Sequence, residues 1–363
     1  MRRMRFDWKE AHVAASGVRR VTARLTAPVL RPTRGSVRGF ALASVIANAV
    51  LICTGAAVRL SSSGLGCPDW PRCTQTSVVA ARSPGQTPLN TAIEFGNRLL
   101  TFPLATIAAL TFIVCLCYKP GRRRRGDLVW LSAALPAGVA GQAVAGGIVV
   151  LTRLNPVMVA VHFLLSSAIL AAAVVLHARA GEQAGPARPV VRADLRVLAA
   201  LLTGATTLML AAGTVVTGTG PLAGTIIDSD GHRTTVPRFH LPLQDVTQLH
   251  ADIGWFIGAL AIALAIGLRF TGAPAGAARA SRIVLAGLVV QGTIGYAQYF
   301  SHLPAGLVWL HVAMSVALWV FVLRLYLSTR VRGPRPGEDV AAAAAAVMSG
   351  ARPPSAGAGA AAG

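Results

Sequence analysis

Apolar residues fill long windows of this chain near 39–58, 97–118, 128–151, 157–177, 196–217, 250–268, 283–300 and 305–327. Crossing a hydrocarbon core takes roughly 20 such residues, so each window reads as one span. The pattern predicts an all-α integral membrane protein of eight transmembrane helices. The connections differ greatly in size, with long ones at about 59–95 and 218–249 and very short ones at about 152–156 and 301–304. The short ones force antiparallel helical hairpins.

Those two hairpins repeat one another. Gln142 stands four residues before Gly146 and twenty before His162, and Gln291 stands four before Gly295 and twenty before His311. Each hairpin turns at a proline, Pro156 or Pro304. Upstream, Thr54-Gly55 through Arg59 resembles Ala212-Gly213 through Thr217, and Glu94-Phe95-Gly96-Asn97 falls where Gln248-Leu249-His250 falls. The expected architecture is two repeated four-helix bundles in the same orientation, since an even number of spans separates them; an inverted transporter repeat would need an odd number. The expected divisions are a basic arm at 1–38, an N-terminal half at 39–178, a linker at 179–195, a C-terminal half at 196–328 and a disordered tail at 329–363.

Composition sharpens this reading: 54% apolar and 13% charged residues at a mean hydropathy of +0.59 exclude an ordinary soluble domain. The net charge of +21 would suit nucleic acid if it formed one face, but it is spread by connection. Basic residues concentrate in the first 38 positions, at Lys119 and Arg122 to Arg125, at Arg179, Arg188 and Arg192, at Arg269, Arg279 and Arg282, and at Arg330, Arg332 and Arg335. The alternate connections hold Asp69, Glu94, Asp228, Asp230 and Asp245. By the positive-inside rule this predicts a multi-pass cell-membrane protein with cytoplasmic termini, long loops outside and no nucleic-acid partner. No apolar core of adequate length precedes the first span, so that span is expected to be retained and not cleaved. The Ala-, Gly- and Pro-rich tail cannot bury enough apolar surface to order itself.

The candidate chemistry sits on this frame. His162 and His311 lie six and seven residues past their turn prolines, about 9–10 Å down a helix. His250 opens the sixth helix on the same side, toward the outer face. Buried ionisable groups in a span need a partner, and facing histidines in a helical bundle hold haem iron from both axial sides. His250 with His311 makes one such pair; the competing role for each histidine is hydrogen-bonded packing. His12, His177, His232 and His240 read as surface residues, and His302 abuts the short outer turn. Glu94 and Asn97 share one face of one helical turn, where the carboxylate serves either as a proton acceptor beside bound haem or as a helix cap. Arg59, Arg98 and Arg153 stand at outer helix ends, suited to haem propionates or equally to lipid head groups. Cys53, Cys115 and Cys117 fall in spans and read as packing residues. Cys67 and Cys73 bracket a short outer-loop turn, where a disulfide and a redox relay are both open.

Several segments resemble one family, the haem A synthases. Gly55-Ala56-Ala57-Val58-Arg59-Leu60 running through Ser63-Gly64-Leu65-Gly66-Cys67-Pro68-Asp69-Trp70-Pro71 is similar to its first-loop signature. Leu151-Thr152 with Asn155-Pro156 and His162, then Gln298-Tyr299-Phe300 with Leu303-Pro304 and His311, resemble its hairpin signatures, and Leu249-His250-Ala251 its sixth-helix start. The resemblance covers nearly all of 40–328. It implies oxidation of the C8 methyl of haem O to the formyl group of haem A for terminal oxidases, with a haem b cofactor between His250 and His311 and the substrate haem in the N-terminal half. It makes Glu94 the catalytic glutamate, His162 a substrate-haem ligand, and Cys67 and Cys73 the loop cysteine pair. Haem O synthase and an electron donor are the partners it implies. The chain departs from the family at Asn97, where the second substrate-side histidine is expected; an amide is a poor iron ligand, so that iron position is left to His162 alone or open to water or O₂.

Two other classes compete. A membrane haem b electron-transfer protein would want two histidine pairs, whereas one pair here is incomplete and has a carboxylate beside it. A transporter would want a polar midplane and discontinuous helices. The farnesyltransferase that makes haem O would need aspartate-rich magnesium motifs, and Asp228 with Asp230 is too sparse for one.

Overall fold

The computed structural model describes residues 29, 31–81, 87–120, 124–227 and 233–333. Most of the basic arm, including His12, then Arg122, Arg123, Asp228, Asp230, His232, Arg335 and the tail from 334 on, lie outside the described residues.

Eight candidate spans are present among the described residues. They are built from α1 (Arg34–Leu60), α2 (Pro88–Leu99) with α3 (Thr101–Cys117) as one span broken at Leu100, α4 (Gly126–Leu151), α5 (Pro156–Ala180), α6 (Ala193–Thr219), α7 (Leu243–Phe270), α8 (Ala275–Phe300) and α9 (Ala305–Ser328). Large apolar side chains such as Phe270 (83% exposed) and Trp130 (80%) face outward, as expected where lipid is the solvent.

Several helices begin well before their apolar windows, because polar capping and not hydropathy sets their first turns. Thr33 and Ser36 form a reciprocal capping box at the start of α1. Thr87 accepts from the Asn90 amide with Pro88 at the first position of α2, and Asn155 accepts from Val157 with Pro156 opening α5. α7 starts at Leu243, after Pro242, so His250 lies in its third turn and does not open the helix as the hydropathy window implied. Outside the spans the chain departs from purely helical structure in two short antiparallel pairs. β1 (Ala187–Pro189) pairs with β4 (Arg330–Arg332), and β2 (Thr225–Ile227) with β3 (Arg233–Thr235).

The two short hairpins turn alike. Arg153 and Leu154 in one, and His302 and Leu303 in the other, take left-handed backbone angles of 54–61° in φ. The amides of Leu154 and Leu303 close onto Val149 and Gln298 at 2.9 and 2.8 Å, satisfying carbonyls at the helix end.

Buried side chains fall into three clusters. One joins α1, α3, α4 and α5 through residues such as Val37, Leu104, Leu128, Leu135 and Leu176. A second joins α6, α7, α8 and α9 through Leu202, Leu264, Val284 and Leu325. The third, with Ile52, Leu170, Leu210, Val316 and Trp319, lies along α1, α5, α6 and α9 and welds the first two together. Two indoles stitch the same seam: Trp319 donates to the Ser167 carbonyl at 3.0 Å and Trp309 to that of Cys53 at 2.9 Å.

Candidate functional site

His250 on α7 and His311 on α9 face one another with ring centres 6.3 Å apart and planes 57° from parallel. Two imidazoles bound at about 2 Å on opposite sides of one metal ion hold their ring centres roughly 6 Å apart. The spacing of the two ring centres is that of two such ligands. Each ring is seated against a glycine of a neighbouring helix: a Cβ on Gly213 would stand 3.3 Å from Cε1 of His250, and one on Gly295 3.2 Å from that of His311. Both Nδ1 atoms are buried without a hydrogen-bond partner among the described residues. Gln291 Nε2 donates to the His311 carbonyl at 3.2 Å and lies 3.1 Å from its Nε2.

His162 on α5 is seated in the same manner. Gly146 backs it, with a built Cβ 3.3 Å from its Cε1, and Gln142 donates to its carbonyl at 3.0 Å and to Ser166 Oγ at 2.7 Å. Its Nδ1 is likewise buried and unpartnered among the described residues. What differs is the opposite side. Asn97 on α2 holds its amide oxygen buried with no hydrogen bond among the described residues. Gly55, the sequence counterpart of Gly213, would meet nothing within 4 Å of a built Cβ. Where one region has an imidazole packed on its glycine, the other has open space.

Glu94, three residues before Asn97 on α2, is 5% exposed and is bound on both carboxylate oxygens. Oε2 accepts the Cys67 amide at 2.6 Å, while Oε1 accepts Arg98 Nε at 3.1 Å and Nη2 at 2.6 Å. It is no helix cap; Thr87 does that work seven residues earlier. Arg98 then spends its remaining donors on the loop, reaching the carbonyls of Cys67 at 2.7 Å, Asp69 at 2.9 Å and Arg72 at 3.0 Å. Cys67 and Cys73 are joined by a disulfide within that loop, both essentially inaccessible.

The loop is pressed onto the helices at two further points. Thr91 Oγ1 donates to the Gly66 carbonyl at 3.1 Å, and a Cβ on Gly66 would lie 2.4 Å from the Asn90 carbonyl oxygen, so only glycine permits this approach. Trp70 lies on α4 so closely that a Cβ on Gly147 would stand 2.5 Å from its ring. The loop between α1 and α2 is thus fixed to α2 and α4, with Glu94 and Arg98 as its fastening.

Arg98 is therefore committed to the loop and is not free for a propionate. Arg59 is also engaged, donating to the carbonyls of Thr217 at 3.1 Å and Ala223 at 3.3 Å and so tying α1 to the end of α6. Arg153 and His302 occupy the left-handed turn positions. Sequence reasoning missed the clamping role of Arg98, although its i,i+4 spacing from Glu94 was a usable signal for the ion pair. It also missed the glycine seats, whose regular distance from the histidines was visible without its meaning.

Comparison with known proteins adds to this geometry. The family model described as COX15-CtaA, cytochrome oxidase assembly protein, matches residues 38–323. A haem A synthase of Rhodopseudomonas palustris (strain ATCC BAA-98 / CGA009) is 28% identical over 314 residues, covering 74% of this chain and 82% of that protein. A haem A synthase of Lysinibacillus sphaericus (strain C3-41) is 33% identical over 132 residues, covering 36% of this chain and 40% of that protein. Glu94, Asn97, His162, His250, His311 and the disulfide all fall inside the matched family range.

Proposed function

Because the chain belongs to the COX15-CtaA family of cytochrome oxidase assembly proteins, we propose that it is a haem A synthase, oxidising the C8 methyl group of haem O to the formyl group of haem A. The observation that carries this reading is an asymmetry. His250 and His311 form a facing pair, whereas the repeat puts Asn97 and not a second histidine in the position that would answer His162, with the buried carboxylate of Glu94 one helical turn away on α2. A protein built only to pass electrons has no use for the second arrangement.

In this reading His250 and His311 hold haem b, and the glycines behind them fix the imidazole positions. When bound, haem b supplies a one-electron redox centre inside the membrane. His162 holds the substrate haem from one side, and Asn97 leaves the other side weakly ligated or open. Converting a methyl to a formyl group is a four-electron oxidation of that carbon: with O₂ as the oxidant, two successive hydroxylations each take two electrons and two protons from an external electron donor and release one water, and the resulting gem-diol loses a further water to give the formyl group. Glu94 serves as the proton acceptor or as the negative charge that stabilises positive charge developing at the carbon. Arg98 is a positioning residue: its ion pair with Glu94 at 2.6 Å fixes the rotamer of that carboxylate. The disulfide-closed lid, with Trp70 on α4, restricts water at the reacting carbon. Haem O synthase as the source of substrate, an electron donor and the lipid bilayer complete the proposed partners, and the cell membrane with both termini cytoplasmic is the proposed location.

The test is haem extraction and chromatography from membranes that express this chain together with a haem O supply. Haem A should appear in these membranes and be absent from those lacking the chain. Accumulation of haem O alone beside folded, haem-loaded protein would leave an electron-transfer role in its place.

A further inference from the structure

On the face that carries the basic connections, the ends of α1, α5 and α9 enclose a cleft of about 430 Å³ that the proposed reaction does not use. It is lined by Gly35, Arg38, Gly39 and Leu42 of α1, His177 of α5 and Arg324 of α9. Among the described residues no acidic side chain lines it. Arg38 and Arg324 make no hydrogen bond or ion pair among the described residues, unlike nearby cations: Arg34 donates to the Gly181 carbonyl, and Arg125 binds Asp127 at 2.8 Å.

Like charges drawn from separate helices into one cleft repel each other, and an arginine inside an apolar helix such as α9 is costly without a counter-charge. Snorkelling of each side chain on its own would relieve that cost by spreading the groups apart. Here both line one cleft with His177, and small residues make the room: a Cβ on Gly39 would meet nothing within 4 Å. Leu42, 42% exposed, continues the wall from the cleft toward the apolar middle of α1. A charged mouth above an apolar wall matches a molecule with an anionic head and a hydrocarbon tail.

We propose that this cleft binds the phosphate of an anionic phospholipid, held between the Arg38 and Arg324 guanidinium groups with His177 as a further donor. Guanidinium groups suit this role because their fork of N–H donors matches phosphate oxygens. A free phosphate shares the head-group chemistry, but it would leave the Leu42 wall unused.

The experiment places the full-length, haem-loaded protein in nanodiscs of phosphatidylcholine containing a small fraction of phosphatidylglycerol, and counts retained lipid by native mass spectrometry. Wild type should retain phosphatidylglycerol preferentially. Arg38→Gln and Arg324→Gln should each weaken retention about fivefold, the double variant should abolish the preference, and Arg269→Gln in another connection should leave it unchanged. An unchanged haem spectrum shows that each variant is folded, and Arg38→Lys with Arg324→Lys, which keep the charge, should retain part of the preference if the double glutamine variant proves unstable. Equal phosphatidylglycerol retention by wild type and the folded double variant would overturn the site. Displacement of the lipid by inorganic phosphate at millimolar concentration would overturn the lipid assignment in favour of a phosphate-ion site.

Discussion

His311 and His162 are seated almost identically, each against a glycine of the preceding helix and each with a glutamine twenty residues earlier bonded to its carbonyl. Their opposite sides differ completely. His311 meets His250 at 6.3 Å between ring centres, whereas the sequence position corresponding to His250 is Asn97, and a Cβ built on Gly55, the counterpart of Gly213, would meet nothing within 4 Å. On the helix that carries Asn97, Glu94 and Arg98 fasten a disulfide-closed loop. The lesson is chemical: one region pairs two imidazoles, while the other sets a single imidazole and an amide in the same places and adds a carboxylate already engaged by the loop, so the proposed cofactor and substrate roles fall on the two regions differently.

The largest expected effect is on the closed seat. Replacing both His250 and His311 with alanine should remove the low-spin haem b signal entirely, since neither axial bond survives. An unchanged absorption spectrum from folded double variant would show that the cofactor lies elsewhere. Next comes the open seat, where Glu94→Gln keeps size and most hydrogen bonding but loses charge. Haem A yield should fall by about 10²-fold or more with haem b retained, in keeping with the usual contribution of a positioned acid or base. Wild-type yield from Glu94→Gln would reduce the carboxylate to a fastener of the lid.

Arg98→Gln sharpens the comparison by separating lid from chemistry. It removes charge-assisted bonds to the Glu94 carboxylate and to the Cys67, Asp69 and Arg72 carbonyls, a loss of roughly 2–4 kcal/mol in holding the loop closed. The Cys67–Cys73 bridge should then become accessible to a water-soluble reductant, followed by alkylation and mass spectrometry. Equal protection in wild type and variant would mean the loop is held by Trp70 and Thr91 instead. Asn97→His should supply a second imidazole and move bound haem O toward a six-coordinate low-spin spectrum; no spectral change would mean that position 97 does not reach the iron. The smallest effect is expected from Gly295→Ala, whose new methyl would crowd His311 at 3.2 Å and shift its ring by a few tenths of an ångström. The haem b should stay bound with altered electron paramagnetic resonance g values.

The spans were legible in the sequence because lipid demands continuous apolar stretches, and the His250 and His311 pairing was legible because the repeat marked both. Helix starts were less so: Thr87 and Pro242 fix the first turns of α2 and α7 in polar sequence that carries no hydropathy signal. The Glu94 and Arg98 ion pair follows from spacing on one helix, but the amide of Cys67, 27 residues away, reaches the same carboxylate only through the fold of the loop. Periodicity on a single element cannot report a contact of that kind. The glycine seats had the same standing: Gly146, Gly213 and Gly295 marked the repeat, and only the packed helices show what they are for.

The account's central claim is that the two histidine seats do different work. It is tested most directly by measuring haem content and spin state in purified His162→Ala and His311→Ala proteins side by side. The account predicts that His162→Ala keeps the full low-spin haem b signal while losing haem A formation, and that His311→Ala loses that signal. If both variants lost the same haem in equal measure, the division into a cofactor seat and a substrate seat would be contradicted.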